Sequence, residues 1–137
     1  MSDTGKIEGR CFCGRVRFTV EAPAKYACFC HCESCQRAAG APVVAWATFA
    51  RDSLDVTEGA ISWFESSPGV TRGHCAACGT CISYEHVKRE GRIDITLNAL
   101  EDPGSIEPRS HIWVEDKQPW FVINDGLPQY PQTVSSD

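Results

Sequence analysis

The stretch CFCHCESC, Cys28 to Cys35, places four thiols in eight residues, three of them alternating. Five more cysteines lie elsewhere, at Cys11, Cys13, Cys75, Cys78 and Cys81. Such crowding serves a disulfide framework, a closed structural metal site, or a metal site with one position left for chemistry. Nine thiols is an odd number, and the opening MSDTGKIEGR does not read as a signal peptide. A cytoplasmic, reducing location is therefore expected and a disulfide framework is not. Bridging Cys11 to Cys13, or Cys30 to Cys32, would also close rings far tighter than relaxed disulfide geometry. Metal is the better reading.

Working outward, IEGRCFCGRVRFTVEAP reads as a half-buried strand, with Val16, Phe18 and Val20 on one face and Arg15, Arg17, Thr19 and Glu21 on the other. YACFCHC reads as extended, and ESCQRAAG as a short helix stopped by Gly40. Further strands are expected over 43–50, 54–59, 61–66, 81–87, 92–97 and 111–116, separated by the turn signals Pro68-Gly69, Glu90-Gly91 and Asp102-Pro103-Gly104. The pattern predicts a mainly β protein built of many short pieces.

At 137 residues, 42% hydrophobic and 23% charged, the chain has the composition of one folded domain, expected over 1–130, with PQTVSSD at 131–137 as a polar tail. The formal net charge is -5 with no run of Lys or Arg, which argues against a nucleic-acid partner. Loading thiolates with zinc would leave it more negative still. No apolar run approaches the roughly 18–20 residues of a membrane span. The oligomeric state is not legible.

Zinc takes four ligands in a tetrahedron with Zn–S distances near ~2.3 Å, so its sulfurs sit roughly 3.8 Å apart. In an extended chain, residues i and i+2 share a face about 6.6 Å apart, and Cys-x-Cys on a strand is a workable two-point clamp. Cys-x-x-Cys achieves the same through a tight turn, helped by Gly79 after Cys78. HCESC at 31–35 is echoed by HCAACG at 74–79. If these two knuckles shared an ion, Cys32, Cys35, Cys75 and Cys78 would form one site. If instead the clamps at 11/13 and 75/78 close one site, the middle cluster holds a second ion alone. Spacing leaves both open.

The pieces GRCFCGRVRF, CHCESCQRAAG, HCAACGT, LNALEDP and HIWVEDKQPWF occur in this order between residues 8 and 121. In this the chain resembles the glutathione-dependent formaldehyde-activating enzymes. The resemblance implies a β-tent, a set of small antiparallel sheets held by zinc with one short helix. It implies two zinc ions per chain: a structural one held by Cys11, Cys13, Cys75 and Cys78, and one with an exchangeable position held by Cys30, Cys32 and Cys35. Cys28 and Cys81 are left over, as buried small hydrophobes or, for Cys28, a fourth ligand to the second ion.

Three thiolates make zinc a soft, weak Lewis acid that favours a guest sulfur over a hard carbonyl. The expected activity is that of a carbon–sulfur lyase or thiol-adduct enzyme acting on a small thiol, glutathione by resemblance, and an aldehyde carbon, formaldehyde by resemblance. The alternatives are a non-catalytic zinc-stabilised binding module and a thiol-based reductase using Cys81 or Cys28. The expected catalytic set is Cys30, Cys32 and Cys35, with His111 for proton transfer or support of the ligands. Arg37 and Lys117 are candidate partners for a substrate carboxylate, His31 and His74 for replacement ligands, and Glu33 and Asp102 for a general base. Trp46, Trp63, Trp113 and Trp120 are candidates for core or pocket wall.

Overall fold

A computed structural model of the protein describes residues 5–134, so the end of the expected tail, 135–137, lies outside the described residues. The protein is mainly β, with small sheets and, among the described residues, one α-helix. Strands β1 (Lys6–Arg10), β2 (Arg17–Glu21) and β5 (Asp55–Glu58) form a three-stranded sheet in the order β1-β2-β5. A second sheet runs β10-β3-β4-β9-β8-β7-β6. Its members are β3 (Tyr26–Cys30), β4 (Val44–Ala50), β6 (Ser62–Ser67), β7 (Val70–His74), β8 (Cys81–His86), β9 (Arg92–Thr96) and β10 (His111–Ile112). All pairings between strands are antiparallel except β10 with β3. Helix α1 (Glu33–Ala39) is the short helix expected from ESCQRAAG, with Gly40 at φ +63° closing it.

Alternation explains most of these strands. In β2, Phe18 and Val20 are buried while Arg17 and Thr19 face partly outward. The central strand β4, flanked by β3 and β9, is buried almost throughout. Phe18, Val20, Phe49, Ile82, Ile93 and Ile95 make the main core, each fully buried side chain contributing about 1.5–3 kcal/mol of hydrophobic stabilisation. A smaller cluster gathers Cys30, Cys35, Val44 and Trp46 with Tyr84 and Trp113 packed against it.

Three expectations need correction. Residues 7–21 are two strands, not one: β1 and β2 pair from Lys6↔Glu21 to Arg10↔Arg17, and the connecting turn passes through Gly14 at φ +81°. The strand expected over 111–116 is two residues long, because Trp113 turns into the left-handed region at φ +57° and a 3-10 turn follows over Val114–Asp116. Finally, β7 was not expected at all. Its buried positions include Arg72 and Gly73, a charged residue and a glycine that give no apolar alternation.

The chain beyond β10 returns alongside it. His111 N–H donates to Pro128 O, Tyr130 N–H to His111 O, and Trp113 N–H to Gln132 O. Among the described residues, no helix is long and apolar enough to cross a membrane.

Candidate metal centres

Two hairpin turns present the first thiol group. After β1 the chain bends so that Cys11 N–H reaches Val16 O, at 3.1 Å; after β7 it bends in the same way, Cys75 N–H reaching Thr80 O at 3.0 Å. Each turn carries a glycine in the left-handed region, Gly14 at φ +81° and Gly79 at φ +80°. The turns also touch directly, Phe12 N–H donating to Thr80 Oγ1 at 2.9 Å. As a result Cys11, Cys13, Cys75 and Cys78 converge, all four sulfurs within 4.8 Å of one another. Because β1 belongs to one sheet and β7 to the other, this quartet ties the two sheets together.

Backbone amides favour ionised sulfur in part of the quartet, while Cys13 is pushed up to about 11, its Arg15 amide contact being outweighed by burial and the Cys11, Cys78 and Cys75 thiols. Val16 N–H points at Cys11 Sγ at 3.3 Å and Cys78 N–H at Cys75 Sγ at 3.4 Å. Burial opposes ionisation of Cys11, yet the Val16 amide and the neighbouring Cys13 and Cys75 thiols bring its pKa below the ordinary value. The Thr80 hydroxyl and amide, with the Cys13 amide, lower that of Cys78. Sulfur separations of 3.5 Å for Cys11–Cys13 and 3.8 Å for Cys13–Cys75 match the spacing around one tetrahedral zinc, roughly 3.8 Å. The donor set and geometry fit that metal.

The second group arises where β3 becomes α1. Cys30 ends the strand, and Cys32 caps the helix, its sulfur accepting from Cys35 N–H at 3.3 Å. Cys35 sits on the first turn, which completes a trio of sulfurs also within 4.8 Å of one another. The ring of contacts around it is firm. Gln36 Nε2 donates to His31 O and Asp116 O, and Glu33 N–H donates to Asp116 Oδ2. Within the bare trio, the Cys30 and Cys32 thiols, assisted by Arg72, hold the Cys35 pKa well below that of a free thiol, while sharing with Cys32 and Cys35 and burial drive Cys30 upward.

Cys28 lies on the same face of β3 two residues before Cys30, but is not a member of the trio. Cys81, at the start of β8, packs against the cluster that contains the trio, and burial raises its pKa. All nine cysteines are free of disulfides. Neither His31 nor His74 joins a sulfur group. The alternative partition, with Cys32 and Cys35 meeting Cys75 and Cys78, is not what the fold assembles.

The two groups differ in what faces them. Cys30, Cys32 and Cys35 line a cavity of about 460 Å³, bounded by Trp46, Tyr84 and Trp113 among others, whereas no quartet sulfur borders it. Arg72 also lines it and is only 4% exposed, its Nη2 3.9 Å from Cys35 Sγ and its guanidinium 5.1 Å from the Tyr84 ring centre. Arg72 and Tyr84 were missed in the sequence, and the one available signal was that TRGH joins a turn to a knuckle too closely to be free loop.

The cations expected from the sequence are occupied elsewhere. Arg37 is exposed and pairs with Glu33 at 2.8 Å, and Lys117 donates to Gln118 O and Phe121 O. Asp102 is exposed and apart from the cavity; Trp63 and Trp120 are exposed as well. His111 is buried, stacked on Phe29, and bonded to His31 and Asp125, without bordering the cavity.

A family model described as "Glutathione-dependent formaldehyde-activating enzyme" matches residues 6–116. That span takes in both turns, the trio and β10. The chain belongs to the glutathione-dependent formaldehyde-activating enzyme family. Among solved structures, a crystal structure of a Rhodobacter sphaeroides protein, a structural-genomics target, aligns with a TM-score of 0.61 at 20% identity, covering 90% of this chain and 99% of that one. At this identity the likeness concerns fold alone. No curated protein matches the chain. For this formaldehyde-activating family member, then, the two cysteine groups are candidate metal centres, consistent with zinc.

Proposed function

We propose that the protein is a zinc-dependent carbon–sulfur lyase or thiol-adduct enzyme of the formaldehyde-activating type. In this reading Cys11, Cys13, Cys75 and Cys78 hold a structural zinc, and Cys30, Cys32 and Cys35 hold a second zinc with an exchangeable position. One observation carries it: the three-sulfur group lines a cavity, while the four-sulfur group is ligand-complete and apart from that cavity. When bound by three thiolates, zinc supplies a soft coordination position that lowers the pKa of a guest thiol.

The chain's own residues do the rest. Trp46, Tyr84 and Trp113 provide the aromatic part of the wall around the sulfur group. His111 is a positioning residue: it holds His31, and through it the link between Cys30 and Cys32. Thiol addition to an aldehyde forms one C–S bond, moves the carbonyl π pair onto oxygen, and delivers there the proton that the thiol released. No oxidant or reductant enters. Burial raises the Tyr84 pKa, so its hydroxyl stays protonated in the cavity wall and is a candidate donor to that oxygen. The partner is a small thiol or its adduct. A cytoplasmic setting, where nine thiols stay reduced, suits this chemistry.

The test is metal stoichiometry with a sulfur count by zinc-edge absorption, before and after adding a small thiol. Two zinc ions are expected, with an average sulfur number below four that rises when the thiol is added. Cys32→Ser should remove one zinc and all turnover while leaving the fold. An average of four sulfurs at the outset, or full turnover in Cys32→Ser, refutes the catalytic reading.

A further inference from the structure

The cavity holds a buried charge without a full complement of partners. Arg72 is 4% exposed, and among the described residues its Nη1 has no hydrogen-bond acceptor, although Nη2 faces Cys35 Sγ. A buried guanidinium with an unmet donor is costly, because desolvation is not offset by a bond. Among the described residues, the carboxylates lining the same cavity are engaged elsewhere. Asp94 takes Arg89 and the Thr48 hydroxyl, Glu33 takes Arg37, and Asp116 accepts from Glu33 N–H. Tyr84, beneath the guanidinium, offers only a ring face. The fold thus places a fixed, forked cation beside the sulfur trio and leaves part of the fork unmatched. Arg72 borders a smaller hollow of about 230 Å³ as well, but the trio lines only the larger cavity.

Resting on the proposed thiol-binding role of the trio, we propose that Arg72 is the anion receptor of this cavity and that the guest carries a carboxylate on the carbon bearing its sulfur. The short distance from Arg72 to Cys35 sets that position. A guest sulfur beside the trio brings a carboxylate on the adjoining carbon within reach of the guanidinium, where the planar fork matches carboxylate geometry. Glutathione carries its carboxylates several bonds from sulfur, so this contact does not select for it. The carboxylate has two sources: the thiol itself, as in mercaptoacetate, or the carbonyl partner, as in the adduct of a neutral thiol with glyoxylate. In that adduct the thiol sulfur bonds the aldehyde carbon and the carbonyl oxygen becomes a hydroxyl by taking the thiol proton.

The experiment is calorimetric titration of the zinc-loaded protein with mercaptoacetate, 2-mercaptoethanol, and 2-mercaptoethanol plus glyoxylate, with zinc content measured on every sample. Mercaptoacetate, the glyoxylate adduct, or both should bind about ten- to a hundredfold more tightly than 2-mercaptoethanol alone, the range of a charge-assisted bond. Which of the two arms shows the gain identifies the source. Arg72→Gln should erase the preference. Arg72→Lys, which keeps a positive charge beside Cys35 if the glutamine variant sheds metal, should reduce it. Equal affinity for neutral and anionic guests, or a preference untouched in Arg72→Lys and Arg72→Gln, overturns the inference while the thiol-binding role stands. Failure of every thiol to bind overturns both.

Discussion

His31 Nε2 lies 2.8 Å from His111 Nδ1, and the other nitrogen of His111 lies 2.7 Å from Asp125 Oδ2. The order of donors follows. An ionised Asp125 accepts from His111 Nε2–H, which leaves His111 Nδ1 bare to accept from His31 Nε2–H. Burial depresses the His31 pKa to about 4, so that ring stays neutral at pH 7. A carboxylate at the surface thus fixes the orientation of a ring set between two trio cysteines.

His111→Phe should preserve the stack on Phe29 but leave the His31 donor buried without an acceptor, at a cost of about 1–3 kcal/mol measured by urea unfolding. It should also change the Asp125 titration. The His111 hydrogen bond holds the Asp125 pKa below 3.8, so its stabilising contribution is present above that value and fades as pH falls through the folded-state pKa. Carbon-13 titration of the Asp125 carboxyl should give a midpoint below 3.8 in the wild type and an ordinary one in His111→Phe. Identical midpoints would show that the chain of bonds is not made in solution.

The two sulfur groups should respond differently to substitution. Cys75→Ser breaks a four-sulfur group that joins two sheets, so it should lose one metal and lower the thermal midpoint sharply. Cys32→Ser affects a group contained within one β3–α1 segment and should lose one metal with a much smaller shift. The measurement is metal content together with calorimetric melting. A chelator should likewise remove metal in two phases, the trio first, and a single phase would contradict the division of roles.

How far the sequence could be read depends on whether a residue's neighbours are local. The trio is a local object: Cys30 at a strand end and Cys32 at a helix cap place their sulfurs through short-range backbone geometry. The strands at 43–50, 81–87 and 92–97 were legible for a similar reason, since alternation and β-branched residues report burial directly. The quartet joins positions some sixty residues apart, and spacing left its partition open until the fold brought the two turns together. Arg72 was opaque. A charged residue on a strand's buried face breaks the apolar period that reveals a strand, and its value lies in Tyr84, its cross-strand neighbour, and Cys35, neither of which is near it in sequence.

β7 offers a packing test. A Cβ on Gly73 would lie 2.4 Å from Ser83 Oγ and 2.7 Å from Ile61 Cγ2, so an added methyl must displace both. Gly73→Ala should therefore destabilise the protein by about 1–3 kcal/mol, the usual cost of overpacking. Because Arg72 is the adjacent residue, the same variant should also weaken guest binding in the cavity. Gly79→Ala, whose added Cβ would meet open space but whose φ is +80°, serves as a comparison for backbone strain without overpacking. Equal stability of Gly73→Ala and the wild type would mean that the β7–β8 contact is looser than these distances indicate.

Cys28 and Cys81 separate the lyase reading from a thiol-based reductase. A reductase needs a nucleophilic thiolate, yet burial raises the Cys81 pKa, while Cys28 is buried on β3 and sits outside both sulfur groups. Cys28→Ala and Cys81→Ala should each retain two metals, full turnover of the thiol adduct and stability within about 1–2 kcal/mol, as expected for small packed side chains outside both sulfur groups. Iodoacetamide at neutral pH should label neither quickly in the metal-loaded protein, as peptide mass spectrometry would show. Rapid alkylation of one of them, with activity lost and metal kept, would assign that sulfur the chemistry and move it away from the trio.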